Sequence, residues 1–183
     1  MTANARSQQK LLLIALLFLT PFLAAVVMRF GGWQPSNTRN FGELLAPPLS
    51  MQAVTARQTD ALPWPWVNSE RHWTLLLQLP KPCEAACLAA TAVLPNVRQA
   101  LGRHVEKLHP FAVVGASEDT ASPALAASFP SLQLEGELPA PLAQAPTTMP
   151  QVWLVDPHGY LVMRYREGFD PNGLRRDLSR LIK

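Results

Sequence analysis

At 183 residues the chain has room for one domain and an accessory segment. Hydrophobic residues make up 48% and charged residues only 16%, a balance tilted by one stretch near the N-terminus. A net charge of +3 is too mild to argue for nucleic acid, and no stretch interleaves basic and aromatic residues, so no nucleic-acid partner is expected. The sequence also carries no internal repeat, Gly-rich phosphate loop or H-E-x-x-H pattern.

Residues 1–10 include Arg6 and Lys10 and precede an apolar run from Leu11 to Met28, interrupted only by Thr20 and Pro21. A spanning helix needs about 17–25 residues, so 11–30 reads as a transmembrane anchor in contact with membrane lipid. The two basic residues before it favour a cytoplasmic N-terminus, a bias weakened by Arg29 after it. The rival is a cleaved signal peptide, whose apolar region is usually about 7–15 residues long. The longer run here, ending Ala24-Ala25-Val26-Val27-Met28-Arg29, is a poor cleavage site. Either way the rest of the chain is exported; in a bacterium it is single-pass in the inner membrane and faces the periplasm, where paired cysteines have redox or metal chemistry open to them.

Residues 31–70 hold Gly31-Gly32, Pro35, Pro47-Pro48, Pro63 and Pro65 without a sustained period, and read as a Pro-rich tether and approach segment. Phe41, Leu44 and Leu45 form an apolar knot in it; Trp64 and Trp66 suit either a sheet edge or a membrane interface. The folded domain is expected over 71–183. Trp73 to Leu79 is nearly all apolar, as a strand buried on both faces would be. A helical stripe follows at Ala90, Leu94, Val97, Leu101, Val105 and Leu108, with a kink or break expected at Pro95. Phe111–Gly115 reads as a second strand, Asp119–Ser128 as a short helix, and Pro130–Pro150 mostly as loop. Gln151–Val155 and Tyr160–Tyr165 form a hairpin about the turn Asp156-Pro157-His158-Gly159. Asp170-Pro171 is an N-cap and N1 pair opening a last helix with Leu174, Leu178 and Leu181 on one face. The order predicts an α/β fold: a βαβ unit with a right-handed crossover, then a hairpin and a helix.

The two cysteines of the chain, Cys83 and Cys87, fall where the first strand hands over to its helix, at the carboxyl end of a strand where ligands and chemistry collect. C-x-x-x-C spacing puts both sulfurs on one face of a helix, one turn apart. They can share a soft metal ion such as Cu(I), close into a disulfide with some backbone adjustment, or sit as two small core residues. For thiol chemistry, Cys83 at a helix start would be the attacking sulfur and Cys87, a turn deeper, the resolving one. Glu84 opposes activation, since a neighbouring carboxylate disfavours a second negative charge. His72 and His158 belong to the far end of the sheet, and His104 and His109 to a solvated helix end; none is expected to ligate a metal.

This arrangement resembles the thioredoxin-like superfamily over Arg71 to Lys183. The resemblance is carried by the cysteine pair after the first strand, the Pro150–Asp156 segment and the Asp-Pro-His-Gly turn. In the similar TlpA-like membrane-anchored thiol–disulfide oxidoreductases, a cis proline before such a strand packs against the cysteines. That implies a catalytic-site role for Pro150, a cis Met149–Pro150 bond and Met149 beside the thiols. The C-x-x-x-C spacing and single anchor look more like the Sco/SenC family, membrane-anchored copper carriers for cytochrome c oxidase assembly. That resemblance implies Cu(I) on Cys83 and Cys87, and an oxidase subunit or another periplasmic dithiol protein as partner. The histidine that completes the copper site in that family would fall at Thr148, and the prolines after its two cysteines are Glu84 and Leu88 here. Met149 could supply a thioether in place of the histidine, or pack in the core near a buried proline.

Three readings follow. The first is a divergent Sco-like factor that handles copper, or the thiols of a copper site, in a respiratory oxidase. The second is a general periplasmic thiol–disulfide oxidoreductase, and the third a non-catalytic interaction module with a structural disulfide.

Overall fold

The computed structural model describes residues 3–31, 40–114 and 129–183. The chain divides into two compact units, Met1–Arg39 and Asn40–Lys183. In the first, α1 (Ala3–Phe30) is one continuous helix that includes Pro21. Its segment Gln8–Phe30, 23 residues with mean hydropathy 2.8, is long and apolar enough to cross a membrane. Thr20 donates its hydroxyl to the Leu16 carbonyl at 2.6 Å, so the side chain's polar group is satisfied within the helix.

In the second unit, seven described strands form one mixed sheet in the order β1-β7-β6-β3-β4-β5-β2. They are β1 (Glu43–Ser50), β2 (Thr55–Gln58), β3 (Trp73–Gln78), β4 (Leu108–Val114), β5 (Ser131–Glu135), β6 (Gln151–Val155) and β7 (Tyr160–Tyr165). The helices are α2 (Ala85–Thr91), α3 (Leu94–Gln99), α4 (Ala140–Ala143) and α5 (Pro171–Leu181), with a 3-10 segment at Gly102–Lys107. As the sequence predicts, β3 and β4 are parallel and β6 and β7 are an antiparallel hairpin; the structure adds that β6 pairs antiparallel with β3.

The continuous apolar run of β3 is explained by burial on both faces. Leu75 and Leu77 join Val97, Leu154, Met163, Leu174 and Leu178 in the core beneath α3 and α5. Leu76 faces the other way, with Trp153, Phe111, Leu161, Met51 and Trp66. Trp64 and Trp66 both belong to this domain: Trp66 is buried with its indole N–H on the Val54 carbonyl at 2.6 Å, and Trp64 packs edge-on to Phe111.

The structure amends three expectations. The 31–70 segment is not tether throughout, because β1 and β2 line the two edges of the sheet. The prolines that hide β1 fall between Leu44 and Leu49, where its register with β7 breaks. An edge strand tolerates them because its outer N–H groups are not part of a ladder. Pro130–Pro150 is mostly loop as expected, but it also holds β5, which pairs parallel with β4 and antiparallel with β2, and the short α4. The helical stripe after the cysteines breaks just before Pro95, as expected, and again at Gly102: α2 ends at Thr91, Pro95 sits in the first turn of α3, and Gly102 at φ +56° opens the 3-10 segment. The Asp119–Ser128 helix expectation lies outside the described residues.

The last helix forms as predicted. Asp170 accepts the backbone N–H groups of Asn172 and Gly173 at its N-terminus. Its buried face differs at the end: Ile182 is buried, whereas Leu181 is 38% exposed. Buried Asp177 lies on the same face and accepts the N–H groups of Phe41 and Gly42 at 2.8 and 3.0 Å and the Tyr165 hydroxyl at 3.1 Å. This carboxylate fastens the chain entering the domain onto α5 and β7. Burial, reinforced by the Asp177 charge, pushes the Tyr165 hydroxyl well above the usual phenol range.

Candidate functional site: the Cys83–Cys87 pair

β3 ends at Gln78, and the chain passes through Pro80 and Pro82 to the cysteines. Both cysteines do not lie on a helix face. Glu84 is extended (φ −80°, ψ −178°) and caps α2, so Cys87 is helical while Cys83 precedes the cap. That extended residue turns Cys83 back over the first turn. The sulfurs are joined in a disulfide with the Cα atoms 5.3 Å apart, inside the usual disulfide range. Their environments differ: Cys87 is 0% exposed and Cys83 half-buried. Around Cys83, Pro82, Glu84, Ala85, Ala86 and Leu88 are exposed.

The start of β6 returns to this end of the sheet, since Gln151 pairs with Gln78. Met149 and Pro150 therefore lie at the same sheet end as the cysteines, with Pro150 buried and Met149 half-buried. The peptide geometry departs from the resemblance: among the described residues the cis bonds are Ala46–Pro47 and Lys81–Pro82, and Met149–Pro150 is trans.

A residue that sequence reasoning missed fixes this segment. Glu167 accepts backbone N–H groups from Thr147, Thr148 and Met149 at 3.0, 2.9 and 2.9 Å. The Thr147 and Thr148 hydroxyls also donate to it, at 3.1 and 2.8 Å. These donors hold the Glu167 carboxyl well below the usual carboxylate range. Glu167 follows the end of β7 in a turn closed by the Phe169 N–H on the Arg166 carbonyl, with Gly168 at φ +76°. No local pattern announces it; its partners are about twenty residues away in sequence.

Gln78 was also missed. Its amide nitrogen donates to the Leu142 carbonyl at 3.0 Å and its amide oxygen accepts the Trp153 indole N–H at 3.1 Å. The polar residue thereby locks the last position of β3 to β6 and α4, at the end of the strand from which the chain runs on to the cysteines. A glutamine closing an otherwise apolar strand was the available signal.

The copper expectation meets this geometry unevenly. Two sulfurs and the Met149 thioether are the soft donors at this end of the sheet, and Thr148, where a histidine is expected, spends its hydroxyl on Glu167. The side chains present do not complete a two-cysteine, one-histidine set. Among the described residues no group of three or more His, Cys, Asp or Glu is gathered to hold a metal ion. His72 and His109 lie at the opposite end, where Thr74 pairs with His109, and their rings are 4.5 Å apart. His109 is on β4, not on a solvated helix end as the sequence suggests. Its Nε2 is buried without a hydrogen-bond partner, and burial, aided by His72 and Arg98, lowers its pKa.

Comparison with known proteins agrees with the fold. No curated protein matches the chain. The copper-bound ScoI structure of Bradyrhizobium japonicum is similar at 15% identity and a TM-score of 0.47, over 74% of this chain and 98% of that one. The exposed lipoprotein thioredoxin Etrx1 of Streptococcus pneumoniae strain TIGR4 gives 14% and 0.44, over 69% of this chain and 98% of that one. BsSco, a member of the Sco family of cytochrome c oxidase assembly proteins with a disulfide switch, gives 15% and 0.44, over 72% of this chain and 92% of that one. Likenesses at these identities and scores carry no argument about function. The family model of the transmembrane-like, thioredoxin-like, C-terminal domain matches residues 73–183, more than half of the chain. The chain belongs to this transmembrane-like, thioredoxin-like family.

Proposed function

We propose that this chain is a membrane-anchored thiol–disulfide exchange protein whose working pair is Cys83 and Cys87. The observation that carries the reading is the asymmetry of the pair: a half-buried sulfur joined to a fully buried one at the carboxyl end of β3. A disulfide across a four-residue separation constrains the unfolded chain less than one closing a long loop, about 2 kcal/mol against about 5 for a loop of about 100 residues, so stability alone favours a wider spacing. An exchange site needs one reachable sulfur and one screened from competing thiols.

With the pair reduced, the Cys83 thiolate attacks one sulfur of a partner disulfide. A mixed disulfide forms and one partner thiolate leaves. The Cys87 thiolate then attacks Cys83 sulfur, closing the pair seen here and releasing the second partner thiolate. Two electrons pass from the chain to the partner, and protons equilibrate with solvent. The reverse sequence oxidises a partner dithiol. Pro150 and Met149 shape the surface beside the pair, and 11–30 holds the domain at a membrane, in a bacterium on the periplasmic face of the inner membrane.

The resemblance to Sco/SenC proteins suggests the partner class: a cysteine pair of a copper site in a respiratory oxidase subunit, kept in the right redox state during assembly. Direct carriage of Cu(I) by Cys83, Cys87 and Met149 is the second reading, favoured by three soft sulfur donors at one sheet end. The two are separated with the detergent-solubilised full chain. Thiol exchange predicts that alkylation after mild reduction labels both cysteines and after oxidation labels neither. A pair inert to physiological reductants would leave a structural disulfide. Copper carriage predicts that the reduced chain retains about one equivalent of Cu(I) against a competing chelator, and that Met149→Leu weakens retention about tenfold or more. Retention unchanged in Cys83→Ser removes that second reading.

A further inference from the structure

The strongest unassigned feature is the Glu167 clamp. Three successive N–H groups and two hydroxyls converge on one carboxylate on the turn after β7. Bonds to an ionised acceptor are the stronger kind, and three consecutive backbone donors fix the path of the Thr147–Met149 turn as side-chain contacts alone would not. That turn leads directly into buried Pro150 and Gln151, whose strand partner is Gln78 at the end of β3. Five residues further along the chain is Cys83. The clamp is placed on the β7–α5 connection, so it ties the turn leading to Met149 and Pro150, at the sheet end that carries the cysteines, to a part of the sheet that does not contain them. Thr148 is consumed by it rather than offered to the sulfurs.

We propose that Glu167 is the positioning residue of the dithiol site: by holding Thr147–Met149 it sets Met149 and Pro150 against the pair and favours the closed disulfide over the open dithiol. This rests on the thiol-exchange reading above. The clamp is made in the chain with the pair closed. Releasing the turn returns conformational freedom to residues 147–149 and loosens the wall of the site. The closed pair, which fits one geometry, loses more from that loosening than two separate thiols do. Glu167 touches neither sulfur in this account and acts through the turn.

The test equilibrates the detergent-solubilised full chain with glutathione redox buffers, reads the oxidised fraction by alkylation, and records thermal unfolding on the same samples. Glu167→Ala is expected to move the equilibrium toward the dithiol by about tenfold, equivalent to about 30 mV. Glu167→Gln, which keeps an oxygen acceptor without the charge, moves it the same way by less. Arg166→Ala, the adjacent residue, whose side chain pairs with Glu43 on β1, leaves it at the wild-type value. Glu167 variants within about twofold of wild type, whatever their melting temperature, overturn the proposal, as does an equal shift in Arg166→Ala. Loss of folding in both Glu167 variants overturns it too, since the residue is then structural only. Failure of the underlying reading looks different: the wild-type pair itself would not respond to any glutathione ratio.

Discussion

Single residues divide the domain into an end that carries the Cys83–Cys87 disulfide and a pinned frame. Cys87 is buried and Cys83 half-buried, and the exposed residues about Cys83 include Glu84, whose carboxylate opposes formation of a thiolate next to it. Glu84→Gln is therefore expected to speed alkylation of reduced Cys83 at pH 7 by about two- to fivefold, read with a small uncharged alkylating agent. Asp177 is the most consequential polar residue of the frame. Its Oδ2 accepts from Phe41, Gly42 and Tyr165 together, so Asp177→Ala strands three donors in a buried site. A loss of roughly 2–4 kcal/mol is expected in denaturant unfolding of the chain. His109 supplies a pH dependence. Its pKa is lowered in the folded chain, so the unfolded chain binds more protons as pH falls through the ordinary histidine value of 6.5. Folding stability should fall with pH below that value, and His109→Phe should flatten the slope. Carboxylates held low, such as Glu43 beside Arg166, add their own loss only below about their ordinary range of 4–4.5.

At the scale of elements, the parts of the sheet that the sequence makes legible are those with strong local signals. β3 is continuously apolar, the β6–β7 hairpin carries an Asp-Pro-His-Gly turn with Gly159 at φ +79°, and α5 opens with Asp170 and Pro171. The elements that escape are the two edge strands, β1 and β2, and β5, which lies next to β2. β1 contains two prolines, β2 is four residues long and β5 is a five-residue alternation between proline-rich stretches. Their stability comes from pairing with partners far away in the sequence, β1 with β7 and β2 with β5, and no window of local pattern contains that. The site divides in the same way. The cysteines and Pro150 are candidates that spacing and resemblance point to, whereas Glu167 is not legible in that way, because its contacts exist only once β7 has brought it to the turn before β6. The join of β1 to the rest offers a packing test. A Cβ at Gly42 would lie 2.7 Å from Met163 and Tyr165 side-chain atoms. Gly42→Ala should destabilise the domain by about 1–3 kcal/mol, measured by denaturant unfolding.

On the scale of the whole molecule, a helix fit to cross a membrane and a thioredoxin-like domain are joined in one chain. Under the proposed function, such a tether confines exchange to partners at a membrane and raises their effective concentration without any added contact. The full chain is expected to stay in the membrane fraction through alkaline carbonate extraction, and a chain lacking residues 3–30 to leave it. Recovery of the full chain in the soluble fraction would contradict anchoring. The central claim is that Cys83 is the attacking sulfur and Cys87 the screened one. It is tested most directly by comparing how fast the single remaining thiol reacts with a small aromatic disulfide in Cys87→Ser and Cys83→Ser. The account predicts that Cys87→Ser, with Cys83 free, reacts about tenfold faster or more and accumulates a stable mixed disulfide. Equal rates, or faster reaction through Cys87, would contradict it.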